Sequence, residues 1–200
     1  MSQQAAPSPT FISTILDAAL AVRDGRTHRD VIFHAVTELG ELAEEVRIKI
    51  GSGRGKTAGA DGVAGEALDL ILCLIDYLRL LDPRTSDTRL VSVLNAKSGA
   101  SGISFVQFFF ECLRAGQPIH LWDHRDHLLS IASEVGALCE VRSGPFHDEI
   151  DAARFTAIRA VQDCLRMIMT EIPDLTEGRL IAMAEPKLRK WISGVNGQNP

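Results

Sequence analysis

Four carboxylates on two predicted helices are the residues of this chain best suited to do chemistry. Glu38 and Glu41 are three residues apart, and so are Glu66 and Asp69. Side chains at this spacing share one face of a helix, so each pair can point at a common spot. Carboxylate oxygens are the ligands that hard divalent cations prefer. Mg²⁺ is therefore the first candidate for the bound ion and Mn²⁺ the second.

The electrostatics of these acids also favour a cation. Glu66 and Asp69 open the most apolar stretch of the chain, residues 67–75, which is expected to lie in the core. A carboxylate buried there loses hydration worth several kcal/mol. Acids that converge would add repulsion of roughly 3 kcal/mol per pair at about 5 Å and an effective dielectric of about 20. A fold that brings the four together therefore needs a positive charge between them.

The elements that must position these acids are predicted to be helices. Aromatic residues make up only 6% of the chain, while Leu, Ile and Ala are abundant, which favours an all-α fold. Apolar residues at intervals of three and four predict helices over residues 11–22, 28–50, 66–81 and 88–97. The glycine-rich segment 51–65 predicts a mobile loop between the two acidic helices.

The second part of the chain repeats the first. The triplet His-Arg-Asp at 28–30 is followed by Glu38, and the same triplet at 124–126 is followed at the same distance by Glu134. Further along, an offset of 90 residues aligns Pro83, Arg89, Leu90 and Lys97 with Pro173, Arg179, Leu180 and Lys187. We interpret this as an internal duplication. It predicts a tail at 1–10 and two helical halves, 11–100 and 105–192, packed into one bundle as a pseudo-dimer.

The second half lacks part of the acid set. Glu134 is present, but Ala137 stands where Glu41 would be, and Ala160 replaces Glu66. Asp163 is the position most like Asp69, although this alignment requires a small gap. The sequence therefore predicts one metal site in each chain.

The two acidic motifs resemble a known signature. The segments TELGELAEEV at 37–46 and EALDLILCLI at 66–75, with their E-x-x-E and E-x-x-D pairs, are similar to those of the MazG-type, all-alpha NTP pyrophosphatase superfamily. This superfamily includes MazG proteins, all-alpha dUTPases and dCTP pyrophosphatases. The resemblance covers residues 28–97 well and residues 105–190 weakly.

The resemblance implies a function and a set of roles. Such enzymes hydrolyse nucleoside triphosphates between the α and β phosphates, often to remove unwanted nucleotides or to control the dNTP pool. Carried over, Glu38, Glu41, Glu66 and Asp69 would hold Mg²⁺, and Glu38 or Glu41 would accept a proton from the attacking water. Relatives form their bundle by pairing identical chains, which the two halves would replace here. Whether two such chains pair again is left open.

Four further residues are candidates with alternatives. Glu45 lies on the same helix face as Glu38, either as a further ligand or as a solvated charge. Lys97 resembles a phosphate-contacting lysine of the relatives, but the asparagine often found near it is missing. Arg54 and Lys56 could fold onto a triphosphate, or belong to a solvated linker. A P-loop is excluded because a helix precedes the segment and G-x-x-x-x-G-K-[ST] is not met.

Composition and spacing argue against several other classes. The net charge of −5 disfavours general nucleic-acid binding. No run approaches 18 uncharged apolar residues, so no membrane span is expected. The four cysteines show no CxxC spacing, which predicts reduced thiols in a cytoplasmic protein. No glutamate is followed by histidine three residues on, which argues against a di-iron bundle.

Two alternatives to this function remain at the level of sequence. A phosphoribosyl-ATP pyrophosphohydrolase would use the same acids on a different substrate. A non-catalytic helical module would use them only to bind a structural metal or a partner, and the loss of acids in the second half is compatible with this interpretation.

Overall fold

A computed structural model describes residues 9–22, 25–53, 55–94, 103–114, 123–141 and 147–196. Within these ranges the chain is helical and contains no strand, which confirms the predicted all-α fold. No helix in the described ranges is long and apolar enough to cross a membrane. The helices are α1 (Phe11–Ala21), α2 (His28–Lys49), α3 (Gly62–Leu81), α4 (Asp87–Leu94), α5 (Phe105–Arg114), α6 (His124–Cys139), α7 (His147–Glu171) and α8 (Glu177–Asn196).

The start of α2 is fixed by local capping, whereas the start of α3 differs from the prediction. Thr27 accepts a hydrogen bond from the backbone N–H of Asp30, whose side chain accepts one from the Thr27 N–H in return. This reciprocal capping box satisfies two backbone donors that the first turn of α2 would otherwise leave unpaired. The prediction for α3 was wrong at its start, because the helix begins at Gly62 and not at Glu66. The acids of α3 therefore lie within a formed helix, one turn after its beginning.

The core is built around α3 and α7. These two helices pack against each other, α2 packs on α3 and α6, and α6 packs on α7. Leu68, Ile71, Leu74 and Ile75 of α3 are fully buried, as the apolar run predicted. Each such side chain contributes roughly 1.5 to 3 kcal/mol on burial. This packing fixes α3 as a rigid support for the acids on its remaining face.

Two acids, Asp87 and Glu177, each accept a hydrogen bond from the first residue of a helix elsewhere in the chain. Asp87, at the start of α4, accepts a hydrogen bond of 2.7 Å from the N–H of Phe105, which begins α5. Glu177, at the start of α8, accepts one of 2.9 Å from the N–H of Phe11, which begins α1. Each acid thus caps a helix from the other part of the chain. The duplication itself stays a prediction.

Candidate metal centre

Three of the four predicted acids come together between α2 and α3. Glu38 projects from α2, and Glu66 and Asp69 project from the first half of α3. One carboxylate oxygen from each lies within 4.8 Å of the other two, and all three residues are half-buried. The spacing of three within α3 and the close packing of α2 on α3 together produce this convergence.

The donor set fits a hard divalent cation. All three groups offer carboxylate oxygens, and neither a thiolate nor an imidazole belongs to the cluster. Around Mg²⁺, with oxygens at about 2.1 Å, neighbouring ligands are about 3 Å apart and opposite ones about 4.2 Å. The three carboxylate oxygens lie within 4.8 Å of one another, so only small side-chain movements would bring them to these distances. Mg²⁺ usually keeps several waters, so three carboxylates suffice.

The pKa values of the three acids are raised chiefly by burial and further by neighbouring acids. Burial, followed by the charges of Asp69, Glu41 and Glu66, raises the pKa of Glu38 from 4.5 to about 7. Burial is also the main cause that raises the pKa of Glu66 and of Asp69. The cluster therefore favours protonation, or a cation, over three bare carboxylates.

Glu41 has a different position from the other three. It is exposed and lies outside the group of convergent oxygens. Its charge nevertheless raises the pKa of Glu38 and of Glu66. Glu41 therefore stands at the solvent rim of the cluster, where it adds negative potential.

A lysine that the sequence analysis did not select contacts the cluster. The Nζ of Lys187, on α8, lies 2.6 Å from Asp69 Oδ2 and 2.7 Å from Asp61 Oδ2. The repeat contained the signal for it, because the offset of 90 residues aligns Lys187 with Lys97. The resemblance selects Lys97, in the same half as the acids, whereas the lysine in contact with them is Lys187 on α8.

Glu45 is used in neither of the two expected ways. It is buried, with 9% of its surface exposed, and it accepts a hydrogen bond of 2.7 Å from the N–H of Gly59. It is not part of the convergent group. A side chain at Gly59 would bring a Cβ to 2.9 Å from Glu45 Oε1, so the carboxylate of Glu45 would have to shift to admit it. Glu45 therefore anchors the α2–α3 connection, and the alternative of a solvated charge is wrong.

Lys56, the predicted phosphate-binding cation that lies within the described ranges, is not brought to the cluster. Lys56 forms an ion pair with Glu44, one turn before the end of α2 and outside the convergent group. Arg54 and Lys97 lie outside the described residues, so their roles stay predictions.

The corresponding region of the second half is neutralised by arginines. Glu134 of α6 lies 2.9 Å from the guanidinium of Arg159 on α7. The helices α3 and α7 each end two residues before a proline, Pro83 and Pro173, and this offset of 90 places Arg159 at the position of Asp69. At this offset Arg159, and not Asp163 as in the gapped alignment, stands at the position of Asp69, and it pairs with Glu134.

Asp163 belongs to a separate buried network. Ser130 donates a hydrogen bond of 2.7 Å to its Oδ2, and Arg166 pairs with its Oδ1 at 2.7 Å. The imidazole of His127 lies 3.6 Å from the same Oδ1. Burial opposes ionisation, but the hydrogen bonds from these neighbours hold the pKa of Asp163 below its usual value. This carboxylate is fully partnered by the protein itself.

Comparison of the chain with protein-family models, with curated proteins and with solved structures found no match. The chemistry of the centre is therefore argued from its own residues. These are three convergent carboxylates with raised pKa values, a fourth at the rim, and one lysine at the edge.

Proposed function

We propose that this chain is a Mg²⁺-dependent nucleoside triphosphate pyrophosphohydrolase, with Mn²⁺ as an alternative metal. It would cleave the bond between the α and β phosphates, releasing a nucleoside monophosphate and pyrophosphate. The observation that carries the proposal is the convergence of Glu38, Glu66 and Asp69 within 4.8 Å. A role in clearing unwanted nucleotides in the cytoplasm belongs to the same proposal.

The acids of the centre would hold the ion. Glu38, Glu66 and Asp69 would supply its protein ligands, and Glu41 would add negative potential at the rim. A divalent ion bound there neutralises charge on phosphate oxygens and lowers the pKa of an attacking water. Burial and the neighbouring charges of Asp69, Glu41 and Glu66, which together raise the pKa of Glu38 to about 7, support this assignment.

Glu41 is the acid best placed to take the proton of the attacking water. It shares a helix face with Glu38 and lies outside the convergent group, so its carboxylate is available to a water at the rim. Water would attack the α phosphorus, the bond from that phosphorus to the bridging oxygen would break, and pyrophosphate would leave. Glu38 is the alternative acceptor, since it lies one turn before Glu41 on the same helix face.

Product analysis with a panel of nucleotides tests this proposal. The full chain is incubated with NTPs, dNTPs and phosphoribosyl-ATP in Mg²⁺, and pyrophosphate and orthophosphate are measured separately. We expect pyrophosphate and monophosphate in equal amounts from at least one triphosphate, and no release after chelation by EDTA. Turnover of phosphoribosyl-ATP alone would replace the proposed substrate class, and orthophosphate as the sole product would contradict α–β cleavage.

A non-catalytic module is the second candidate, and one observation favours it. Lys187 already places an ammonium group against Asp69, so the protein supplies part of the compensating charge itself. If no nucleotide in the panel is hydrolysed while Mg²⁺ still raises the melting temperature, the centre is a structural metal site. If Mg²⁺ has no effect on either property, the cluster is an ion-pair network that needs no metal.

A further inference from the structure

Lys187 links the acid cluster to a helix from the far end of the chain. We propose that it is a mobile counter-ion shared between Asp61 and Asp69, and that cation binding at the cluster transfers it onto Asp61 alone. This inference rests on the proposed metal centre and deepens it. It assigns Lys187 and Asp61, neither of them a proposed ligand, as the residues that set the metal affinity.

The first step is that the ammonium group of Lys187 and a cation bound at the cluster would compete for the carboxylate of Asp69. The ammonium group lies 2.6 Å from Asp69 Oδ2, an oxygen of one of the three convergent acids. An ammonium and a divalent cation that share one carboxylate repel each other strongly at such distances. Binding of the ion therefore either displaces Lys187 or is weakened by it.

The second step is that Asp61 offers Lys187 an alternative partner. Its Oδ2 lies 2.7 Å from the ammonium, and its side chain is 56% exposed while that of Asp69 is 25% exposed. Asp61 is the N-cap residue of α3, but its side chain makes no capping hydrogen bond. Its carboxylate is therefore available to Lys187, and it lies at the positive end of the helix dipole, which favours its charge.

The third step is that the surrounding structure makes room for Asp61. A side chain on Gly65 would place a Cβ only 2.3 Å from the Cβ of Asp61. Because Gly65 has no side chain, Asp61 can lie against the first turn of α3, four residues before it. Asp61 is outside the convergent group, so an ammonium moved fully onto it would release the carboxylate of Asp69.

The fourth step is the anchoring of the helix that carries Lys187. The helix α8 packs along α1, and Trp191, one turn beyond Lys187, lies under the guanidinium of Arg26 at 4.9 Å. The backbone at Lys187 is thereby held beside the cluster. Its four-carbon stem still allows the ammonium to move between two acceptors without displacement of the helix.

Binding of Mn²⁺ to the full chain without nucleotide tests the transfer. Free Mn²⁺ is followed by electron paramagnetic resonance in wild type, Lys187→Met, Asp61→Asn and the double variant. Lys187→Met removes the competing charge and is expected to tighten binding about tenfold. Asp61→Asn leaves the ammonium on Asp69 and is expected to weaken binding about threefold in the wild-type background. In the Lys187→Met background, Asp61→Asn should change binding by less than about twofold, since no ammonium remains to be moved.

Equal weakening by Asp61→Asn in both backgrounds would overturn the transfer, because it would reduce Asp61 to a general source of negative potential. Unchanged or weaker binding in Lys187→Met would also overturn it. Lys190→Met serves as the matched control, since Lys190 is an exposed lysine on the same helix. Circular dichroism of each variant verifies that the helices are intact.

The two proposals fail in distinguishable ways. Mn²⁺ binding that follows the expected cycle, without hydrolysis of any nucleotide, supports the transfer and removes the proposed enzyme function. Hydrolysis with additive effects of the two substitutions removes the transfer and leaves the function. No Mn²⁺ binding by any of the four proteins would overturn both.

Discussion

The acid cluster between α2 and α3 and the corresponding region between α6 and α7 solve the same electrostatic problem in opposite ways. In the first region, three carboxylates converge and a single ammonium group lies at their edge. In the second region, Glu134 and Asp163 each have an arginine, Arg159 and Arg166, at 2.9 and 2.7 Å. One region carries an excess of negative charge, and the other is balanced by residues of its own helix pair.

The pKa values reflect this difference. Burial together with neighbouring acids raises the pKa of Glu38 to about 7, whereas hydrogen bonds overcome burial and hold that of Asp163 below its usual value. Glu134 is intermediate, because burial raises its pKa and Arg159 partly offsets the rise. Acids with internal partners serve the fold, while acids in excess retain the capacity to bind an external cation.

The largest expected effect is on catalysis, and it separates the two regions. Glu38→Gln should lower pyrophosphate release at least about 100-fold, because it removes a proposed ligand and an alternative proton acceptor. Glu134→Gln, the same change at the corresponding position of the second half, should leave the rate within about twofold. Steady-state rates at saturating Mg²⁺ measure both. Equal losses in the two variants would break the comparison.

A matched pair of stability variants should differ in size. Asp163→Asn should destabilise the fold by about 2 kcal/mol, because Arg166 loses its charged partner in a largely buried network. Asp69→Asn relieves repulsion at the first region but also loses the ion pair with Lys187, so it should change stability by less than about 1 kcal/mol after allowance for solvent screening. Urea unfolding at pH 7 without divalent ions compares them. A larger loss in Asp69→Asn would show that the first cluster is itself structural.

Metal should stabilise the first region only. At about 100 times its dissociation constant, Mg²⁺ adds about 2.7 kcal/mol to the free energy of unfolding, which raises the melting temperature by about 5 to 10 °C in a chain of this size. Asp69→Asn should abolish the shift, and Glu134→Gln should retain it. Thermal scans with Mg²⁺ and with EDTA measure this. A shift that survives in Asp69→Asn would place the metal elsewhere.

The smallest expected effect is a pH dependence. The pKa of Glu38 is raised from 4.5 to about 7, so the stability linked to its protonated form is present below pH 4.5 and is lost as the pH rises through about 7. Glu38→Gln should therefore gain stability over wild type between pH 5 and pH 8, by about 1 kcal/mol after screening.

Asp163 provides the contrast for this titration. Its pKa is lowered from 3.8, so its contribution is complete above that value and is lost only in more acidic solution. The stability cost of Asp163→Asn should therefore stay constant between pH 5 and pH 8. Urea midpoints at several pH values, without divalent ions, compare the two variants. A constant difference for Glu38→Gln would contradict the raised pKa.

Much of the fold could be predicted from the periodicity of apolar residues. The run from Leu68 to Ile75 required a buried helix, and α3 is that helix. The convergence of Glu38, Glu66 and Asp69 was also predictable, since the two acidic helices follow each other in the chain and each carries its acids on one face. The start of α3 was missed because glycines at 62 and 65 suggested a loop, although the helix includes both.

The residues supplied over long distances were not predictable from local pattern. Lys187 could be aligned with Lys97 by the repeat, but no local signal indicated which copy reaches the acids. Glu45 has the spacing expected of a metal ligand, yet its carboxylate accepts a hydrogen bond from the N–H of Gly59. In the second half, the gapped alignment places Asp163 at the position of Asp69, whereas the offset of 90 residues places Arg159 there, in contact with Glu134.

The sequence by itself determined the helices, the buried face of α3 and the identity of the acids, because these depend on side-chain type and on spacing within one helix. The tertiary structure decided the balance of charge at each region. It placed Glu41 at the rim, brought Lys187 from α8 onto Asp69, and paired the second-half acids with arginines. Coulomb energy depends on distances between elements, and only the packing of the helices sets those distances.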